Sequence, residues 1–519
     1  MRRFFLTTLI IPLCLTTSVA QVQVIDGCWL NGGVDATTRV LTSFGTTQDL
    51  RYIGITFRDS LVLPSGVTLR SRGMADVAIV VLDRRWSLVG YDHVGGPGQD
   101  SVVALTTLSN GDGAATIAAC GGVLTPTTCR AGGITFSGRG GYDVVTICWK
   151  PDGRPRWSRL DGGPDADLPS AVAADPDGGL VIAGTYVGST RMGTFTRSDA
   201  AATSAFIARI TPQGTVAWLT STVSSDDDPD VPRGYAAGGS FCVVNDNSVT
   251  ATVGAAGTVG IGGTLTRDVN TNYETYPYVM TVDRATGMAT GWRRLDLCRG
   301  DSVAATAVGA LLVTTVVEPR FCQPGTEPAL RILLGATRLS YVPGGLQSNV
   351  VATATTADGS LVLGGRFERS ILFDSISRRP DIITSSSTLQ DGWVAVLLPD
   401  GRLRSALALK ATTWAQVTSV STRSNAMLIA GVAQDVLNVM PTPLGREGTT
   451  GCFVMVAIDP TASVPPDVGV EHATDRLEGI WTLDGRFAGS NVSDLPPGIY
   501  AGRRMNGAPF PILVGMGQR

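Results

Sequence analysis

An acidic run is the densest group of side chains that could bind a metal ion. It consists of Asp226, Asp227, Asp228 and Asp230. Carboxylates clustered on one loop suit Ca²⁺, which takes roughly six to eight oxygen ligands in proteins. The run lacks the fixed spacing and the glycine of an EF-hand loop, and equivalent connections elsewhere in the chain are also acidic. The sequence therefore leaves two interpretations open, a calcium site and a solvated acidic loop.

Cysteines are the second group with reactive chemistry. The chain contains nine, and those beyond the first twenty residues are Cys28, Cys120, Cys129, Cys148, Cys242, Cys298, Cys322 and Cys452. An even number of cysteines in an exported chain indicates disulfides. Because no pair has C-x-x-C spacing and only two histidines are present, a Cys/His zinc site is disfavoured.

Two disulfides are predicted from the positions of these cysteines. Cys120 and Cys129 lie close together within one loop, so a bridge between them closes only a short span. Cys28 and Cys452 would pair if the N-terminal strand, Gln21–Leu30, lies beside the last repeat of the chain. The cysteines as a whole are interpreted as a few loop disulfides together with some buried free thiols, and the alternative is a redox role.

No catalytic constellation is visible in the sequence. With only His93 and His472 present, Ser-His-Asp chemistry is disfavoured, and no G-x-S-x-G motif occurs. A paired-carboxylate glycosidase stays open, because 44 acidic residues allow many pairs in space. The net charge of −3 argues against a nucleic-acid partner, and no organic cofactor is expected.

The first twenty residues have the pattern of a secretory signal peptide. Two arginines precede an apolar stretch, Phe4–Leu15, that is too short to span a bilayer comfortably. Small residues at positions 18 and 20 predict cleavage between Ala20 and Gln21. No later segment is apolar over the length of a membrane helix, so no transmembrane span is expected in the mature chain.

The chain repeats with a period of about 63 residues, and this is its strongest signal. A short apolar strand begins at Asp76, and its counterparts begin at Asp143, Ala205, Tyr278, Arg331, Trp393 and Phe453. A turn followed by a strand recurs out of phase with it, most clearly from Asp177 and from Asp358. Each marker counts seven units.

Each unit can be divided into four short strands, a to d. In unit three these are predicted at 171–174, 180–185, 205–210 and 215–220, with tight Pro/Gly turns after strands a and c. Repeated four-stranded antiparallel units form a β-propeller, which leaves only short, protected edges. We therefore expect an all-β fold, with a seven-bladed β-propeller over residues 21–462 and a small C-terminal β segment over 463–519.

The order of strands a to d within a unit also assigns the connections to two ends of a blade. The a–b and c–d turns share one end, and the b–c loops share the other with the d-to-a connections. The b–c loops, such as Gly188–Thr203 and Phe367–Leu389, vary most in length. Binding is therefore expected at the end of the b–c loops, since variable loops on a rigid scaffold carry function.

Unit three resembles a known group of bacterial repeats. The stretches AVAADPDGGLVIAGTY (171–186) and AFIARITPQGTVAWLTS (205–221) are similar to the secreted bacterial β-propeller repeats of the SBBP type. The resemblance implies a secreted or surface propeller without an assigned activity. Asp283–Gly287 followed by Trp292 is similar to a pattern of quinoprotein-type propellers, where it serves mainly in blade packing, and it implies no quinone cofactor.

The C-terminal segment resembles a sorting signal. The strand ending in TLDGR (482–486), the LPPGIY motif (495–500) and the last apolar strand (511–514) follow the order of the C-terminal sorting domain of type IX secretion substrates. The resemblance implies delivery to the outer surface of a Gram-negative bacterium, with the export machinery as partner. The alternative is a small β cap on the propeller.

These features favour a secreted or cell-surface propeller with a binding or structural role. Its partner would be a glycan or a surface protein. The alternative is an extracellular hydrolase, a glycosidase or lyase, with carboxylates on the face of the b–c loops.

Overall fold

A computed structural model of the chain describes most of its residues. They are 22–35, 38–45, 50–121, 127–199, 203–224, 235–262, 264–267, 276–294, 302–305, 311–316, 330–334, 337–343, 349–356, 358–368, 370–373, 381–384, 390–398, 402–424, 426–439, 443–458, 477–482, 487–489, 498–504 and 509–514. No helix occurs among them, so none could cross a membrane as an apolar helix. The chain divides into two compact bodies, residues 1–461 and 462–519.

The strands of the first body follow one another in a repeating order. The N-terminal strand and the strands of units one and two are β1 (Gln23–Gly33), β2 (Val40–Phe44), β3 (Arg51–Val62), β4 (Thr68–Arg70), β5 (Asp76–Leu82), β6 (Leu88–Val94), β7 (Gln99–Thr107), β8 (Gly113–Gly121), β9 (Thr128–Ala131), β10 (Ile134–Ser137), β11 (Asp143–Trp149) and β12 (Pro155–Asp161). Those of units three and four are β13 (Asp167–Ala174), β14 (Leu180–Tyr186), β15 (Ser189–Met192), β16 (Phe195–Ser198), β17 (Ser204–Ile210), β18 (Val216–Ser224), β19 (Tyr235–Val244), β20 (Ser248–Ala256), β21 (Thr258–Ile261), β22 (Thr264–Arg267), β23 (Tyr276–Asp283) and β24 (Ala289–Arg294).

The later strands complete the description. Those of units five to seven are β25 (Ser302–Ala305), β26 (Leu311–Val316), β27 (Leu330–Leu334), β28 (Thr337–Pro343), β29 (Asn349–Thr355), β30 (Leu361–Phe367), β31 (Ser370–Phe373), β32 (Asp381–Thr384), β33 (Asp391–Leu397), β34 (Leu403–Leu409), β35 (Trp414–Arg423), β36 (Ala426–Gln434) and β37 (Thr450–Ile458). The second body contains β38 (Leu477–Thr482), β39 (Phe487–Gly489), β40 (Gly498–Arg504) and β41 (Pro509–Val514), paired in the order β39-β38-β40-β41.

The units are four-stranded antiparallel sheets in chain order. In unit two the order is β7-β8-β11-β12, and in unit three β13, β14, β17 and β18 pair in the same way. The four strands predicted for unit three are therefore confirmed, each within a few residues of its observed ends. Four-stranded antiparallel sheets that follow one another and pack face to face are the blades of a β-propeller.

The third strand of each unit explains why the repeat is so visible in the sequence. Every residue of β5, β11 and β33 is buried. In the sequence, strands covered on both faces form continuous apolar runs rather than an alternation of apolar and polar residues. Apolar clusters join neighbouring units: one contains Ile79 of unit one and Ile117 of unit two, and another contains Ile182 and Cys148 of units three and two.

The b–c connections contain short strands and are not plain loops. The connection Gly188–Thr203 contains the hairpin β15–β16, and Phe367–Leu389 contains β31–β32. We call the end of the units that carries these hairpins the hairpin face, and the opposite end, with the a–b and c–d turns, the turn face. Strands of only about four residues between glycine turns leave too weak a pattern for detection.

Each hairpin pairs with the unit before it. In units four and six, β21 pairs with β18 and β31 pairs with β28. In units two and three, single bridges join Arg130 to Gly95 and Arg191 to Gly162, the residues that follow β6 and β12. This pairing occurs in every unit whose b–c connection is described, so the outer strand of one unit is held by its successor.

The N-terminal strand belongs to the last unit. β1 pairs antiparallel with β37 from Gln23 to Asn31, which confirms the predicted pairing of the N-terminus beside strand c of unit seven. Near its other end, Gly32 of β1 lies opposite Leu61 of β3, in the hairpin of unit one. Leu30 between these contacts is fully buried. One strand therefore connects the first and last units.

On the turn face, tryptophans of strand d pack on the c–d turn of the next unit. Trp157 Nε1 donates a 3.0 Å hydrogen bond to the carbonyl of Pro212, and Trp218 Nε1 donates a 2.9 Å bond to that of Arg284. A Cβ on Gly214 or Gly287 would lie 2.8 or 2.6 Å from the facing indole. The Asp283–Gly287 pattern thus serves in packing between units.

We expect Gly214→Ala to destabilise the protein more than Gly66→Ala. Both glycines have nearly the same φ, +83° and +82°, so both substitutions carry a similar backbone cost. Only Gly214 faces an indole ring, whereas a Cβ on Gly66 would have open space around it. The difference should be about 1–3 kcal/mol in the free energy of unfolding measured with urea. Equal losses in the two variants would show that the indole does not constrain position 214.

Candidate functional site

Buried aspartates are concentrated at the hairpin face. Asp76, Asp143 and Asp391 begin strand c of units one, two and six, and Asp100 and Asp167 lie at the start of strand a of units two and three. All five side chains are fully buried. A buried carboxylate is costly unless hydrogen bonds compensate for the lost water, so the donors around each one determine what it can do.

Asp76 lies between units one and two and is the most completely bonded of the group. Its Oδ1 accepts from the Ser71 hydroxyl at 3.1 Å, and its Oδ2 accepts from the backbone N–H of Arg72 at 3.1 Å. His93 Nε2 lies 2.6 Å from the same Oδ2. The Arg72 guanidinium donates to the carbonyls of His93 and Gly95.

The arrangement around Asp76 does not have the geometry of a catalytic triad. The Ser71 hydroxyl bonds to Asp76 and to the Gly73 carbonyl. It makes no bond to His93 among these contacts, so no base is positioned to take its proton. The His93 side chain is only 13% exposed. These residues therefore fix the junction of two units rather than present a nucleophile.

Asp100 belongs to the same junction. Its Oδ2 accepts from the backbone N–H of Gly96 at 2.9 Å, and its Oδ1 accepts from that of Cys120 at 3.0 Å. Burial raises the pKa of Asp100 to about 6, against the lowering effect of these hydrogen bonds. The Asp76 carboxylate raises this pKa further and the Arg72 guanidinium lowers it.

The junction of units two and three repeats this arrangement with fewer donors. Asp143 Oδ2 accepts from the backbone N–H of Arg139 at 2.8 Å, and Asp167 Oδ2 accepts from that of Gly163 at 2.6 Å. Leu160 stands at the position that His93 has in unit one, as the strand registers show. Burial raises the pKa of Asp143 and of Asp167 to about 6.

The cysteines of the predicted disulfides lie near one another in pairs. The thiols of Cys120 and Cys129 are buried and hydrogen-bonded to each other; this bond, together with burial, raises the pKa of Cys120 far above its ordinary value. Cys28 and Cys452 lie on the paired strands β1 and β37, two residues out of register. Burial raises the pKa of Cys28 to about 12. The four thiols are free in this structure, and both disulfides stay predictions.

Other predicted site residues lie outside the described part of the chain. These are the acidic run Asp226, Asp227, Asp228 and Asp230, and the cleavage position Ala20–Gln21. Calcium binding by the acidic run and signal cleavage therefore stay predictions. Among the residues that are described, no group of three or more His, Cys, Asp and Glu side chains could hold a metal ion by itself.

The sequence contains a signal for the buried aspartates. Asp100 and Asp167 stand in the recurring connections GPGQDSV and GGPDADLPS, where an acidic residue was interpreted only as part of the repeat. The hydrogen-bond partners of these aspartates could not be identified from the sequence, because backbone N–H groups donate most of the bonds. The Asp76–His93 contact joins residues 17 positions apart on neighbouring strands, and no motif marks it.

We expect Asp100 to make the protein more stable in mild acid than at neutral pH. Its pKa rises from 3.8 to about 6 on folding. The stabilisation from its protonation is therefore complete below about pH 4 and is lost as the pH rises through 6. The full effect is on the order of 2–3 kcal/mol. Urea unfolding between pH 4.5 and 7.5 should show the free energy of unfolding of the wild type rising towards acid relative to that of Asp100→Asn, whereas parallel pH profiles would contradict the assignment.

Comparisons with known proteins show similarity to solved β-propeller structures. No protein-family model matches the sequence, and no curated protein matches it significantly. An ulvan lyase of polysaccharide lyase family PL25 is 12% identical, with 83% of this chain and 97% of that one covered and a TM-score of 0.39. The Dos1 propeller is 7% identical, with 84% and 95% covered and a TM-score of 0.38. Quinohemoprotein alcohol dehydrogenase from Comamonas testosteroni is 9% identical, with 86% and 78% covered and a TM-score of 0.37.

Proposed function

We propose that this chain is an exported, seven-bladed β-propeller that has a binding or structural role at the outer surface of a Gram-negative bacterium. Its repeats would be of the secreted SBBP type, and the signal peptide and a type IX-like C-terminal segment would direct its export. The binding role rests on the concentration of exposed apolar side chains on the hairpin face.

The proposal of a closed ring rests on contacts between the ends of the first body. Besides the β1–β37 pairing, the Thr42 backbone N–H of unit one donates to Ser419 Oγ of unit seven at 3.0 Å. The Thr418 hydroxyl donates to the Val40 carbonyl at 2.7 Å. These bonds join the innermost strands of the first and last units, as a closed propeller requires.

The binding role is supported by where apolar side chains are exposed. In the hairpins, and in the connections and strand ends beside them, the large apolar residues that are exposed are Val62, Val67, Met74, Ile134, Leu168, Val223 and Val351. They belong to units one, two, three and six. Met74 is 67% exposed, and Ile134 at the tip of β10 is 49% exposed. Apolar side chains gathered on one face of a soluble domain mark interaction sites.

The five buried aspartates of this face give the hydrolase alternative no support. A glycosidase needs two carboxyl groups that reach a bound sugar. The five aspartates at the hairpin face are fully buried, and the described donors around them are mostly backbone N–H groups. They hold units together, whereas a catalytic pair would have to face solvent. A glycan or a surface protein is therefore the favoured partner class.

We expect Met74→Asp to weaken binding and Met288→Asp to leave it unchanged. The two methionines are matched, since they are 67% and 69% exposed, and Met288 lies next to a c–d turn on the turn face. A charge among these exposed apolar side chains should lower affinity about tenfold or more, as is typical of a central contact in an interface. Binding of the mature chain and both variants to a glycan array and to intact cells is the measurement. Equal binding by both variants, or cleavage of an arrayed glycan, would refute the proposed role.

The second body is the proposed export signal. Its four strands form one antiparallel sheet, in which β40 contains the end of the LPPGIY motif and β41 is the last apolar strand. This agrees with the strand order that the resemblance to type IX sorting domains implies. The body is compact by itself and follows the last strand of unit seven.

Deletion of Glu478–Arg519 should block surface delivery and leave the propeller folded. The unit repeat ends before this segment, and the sheets of the first body are complete without it. We expect the truncated protein to accumulate in the periplasm with one cooperative thermal transition. Cell fractionation and thermal unfolding of the purified protein are the measurements. Surface delivery of the truncated chain, or its aggregation, would show that the segment is a structural cap.

A further inference from the structure

Two carboxylate oxygens and one hydroxyl that are buried at the junction of units two and three lack a hydrogen bond of acceptable geometry. They are Asp143 Oδ1, Asp167 Oδ1 and Thr190 Oγ1, each without a partner of acceptable geometry. Asp143 and Asp167 are fully buried, and Thr190 is 1% exposed. A buried polar atom without a partner is costly, so three of them together point to a missing ligand.

The two aspartate side chains face Gly162. A Cβ on this glycine would lie 2.0 Å from Asp143 Oδ1 and 3.2 Å from Asp167 Oδ2, so these two oxygens are at most about 5 Å apart. The Thr190 hydroxyl lies within reach of the Asp167 carboxylate, and its hydrogen bond lowers the pKa of Asp167 against the larger effect of burial. Thr190 is held there because its neighbour Arg191 exchanges two backbone hydrogen bonds with Gly162.

The preceding junction shows that the repeat does not require these unpaired oxygens. At the equivalent positions, both oxygens of Asp76 and both oxygens of Asp100 are hydrogen-bonded. His93 supplies one of the contacts at Asp76, and Leu160 replaces it in unit two. The junction of units two and three has therefore lost donors and kept both carboxylates.

The charges at this junction leave an excess of negative charge. The Arg159 guanidinium pairs with Asp161, which accounts for that carboxylate. The Arg139 guanidinium donates to the carbonyls of Gly162 and Arg191 rather than to either aspartate. Asp143 and Asp167 thus share one nearby cation, Arg139, between two carboxylates.

We propose that Asp143, Asp167 and Thr190 bind a Ca²⁺ ion between units two and three. Carboxylate and hydroxyl oxygens are ligands that Ca²⁺ prefers, and backbone carbonyls or water complete its shell in flexible geometries. The ion would bridge strand c of unit two, strand a of unit three and the hairpin β15–β16, and so would stabilise the folded chain over the unfolded one. This site is separate from the acidic run at Asp226, and it does not depend on the proposed binding role.

The test is calorimetric titration of the full mature chain with CaCl₂ after removal of metal by EDTA. We expect one ion per chain that is lost in Asp143→Asn and Asp167→Asn, and a thermal midpoint that rises with CaCl₂ but not with MgCl₂ at equal ionic strength. Thr190→Val removes only the hydroxyl and keeps the side-chain shape, so it tests the site if an aspartate variant fails to fold. It should weaken Ca²⁺ binding about tenfold.

Asp391→Asn provides the matched control. Asp391 is a fully buried aspartate that begins strand c of unit six, with Oδ1 accepting from the Ala411 N–H at 3.2 Å. This variant should be destabilised without losing the bound ion. The proposal is overturned if the wild type binds no Ca²⁺, or if Asp143→Asn and Thr190→Val bind it as tightly as the wild type does.

Discussion

The pairing of β1 with β37 is the interaction on which the rest of the first body depends. β1 comes from the N-terminus and completes the sheet of the last unit, with partners from Gln23 to Asn31. The same strand then contacts the hairpin of unit one through Gly32 and Leu61. Without it, β37 and the hairpin of unit one would both expose unpaired backbone groups, which a sheet edge tolerates poorly. Units that contact only their neighbours need such a strand to connect the first to the last.

The hairpins connect the other units in the same way. Each described hairpin pairs with the outer strand of the preceding unit, and β1 is the outer strand that the hairpin of unit one uses. Buried aspartates lie where these pairings occur, and their carboxylates accept hydrogen bonds from the backbone of the connections. The hairpin face is therefore organised by polar contacts inside and carries its exposed apolar side chains outside. On the turn face, tryptophan indoles packed against glycines hold neighbouring units together.

Much of the architecture could be predicted from the sequence, since buried central strands leave long apolar runs. The strands of unit three were predicted from such runs and from Pro/Gly turns, and the pairing of the N-terminal strand was proposed together with a Cys28–Cys452 disulfide. The hairpins were not, because four-residue strands such as Ser189–Met192 have too few residues to show a period. The buried aspartates were not identified either, since the pairing of Asp76 with His93 exists only in the folded sheet. The function of exposed apolar residues such as Ile134 depends on neighbours in space, which the repeat does not specify.

Hydrogen exchange of the native mature chain, followed by mass spectrometry, tests the role of β1 most directly. An N-terminal segment that is not tied into a sheet frays and exchanges quickly. The account predicts that the amides of β1 between Val24 and Asn31 exchange as slowly as those of β36, in one cooperative event. Rapid exchange of β1, while β36 stays protected, would contradict it, because the last unit would then be complete without the N-terminal strand.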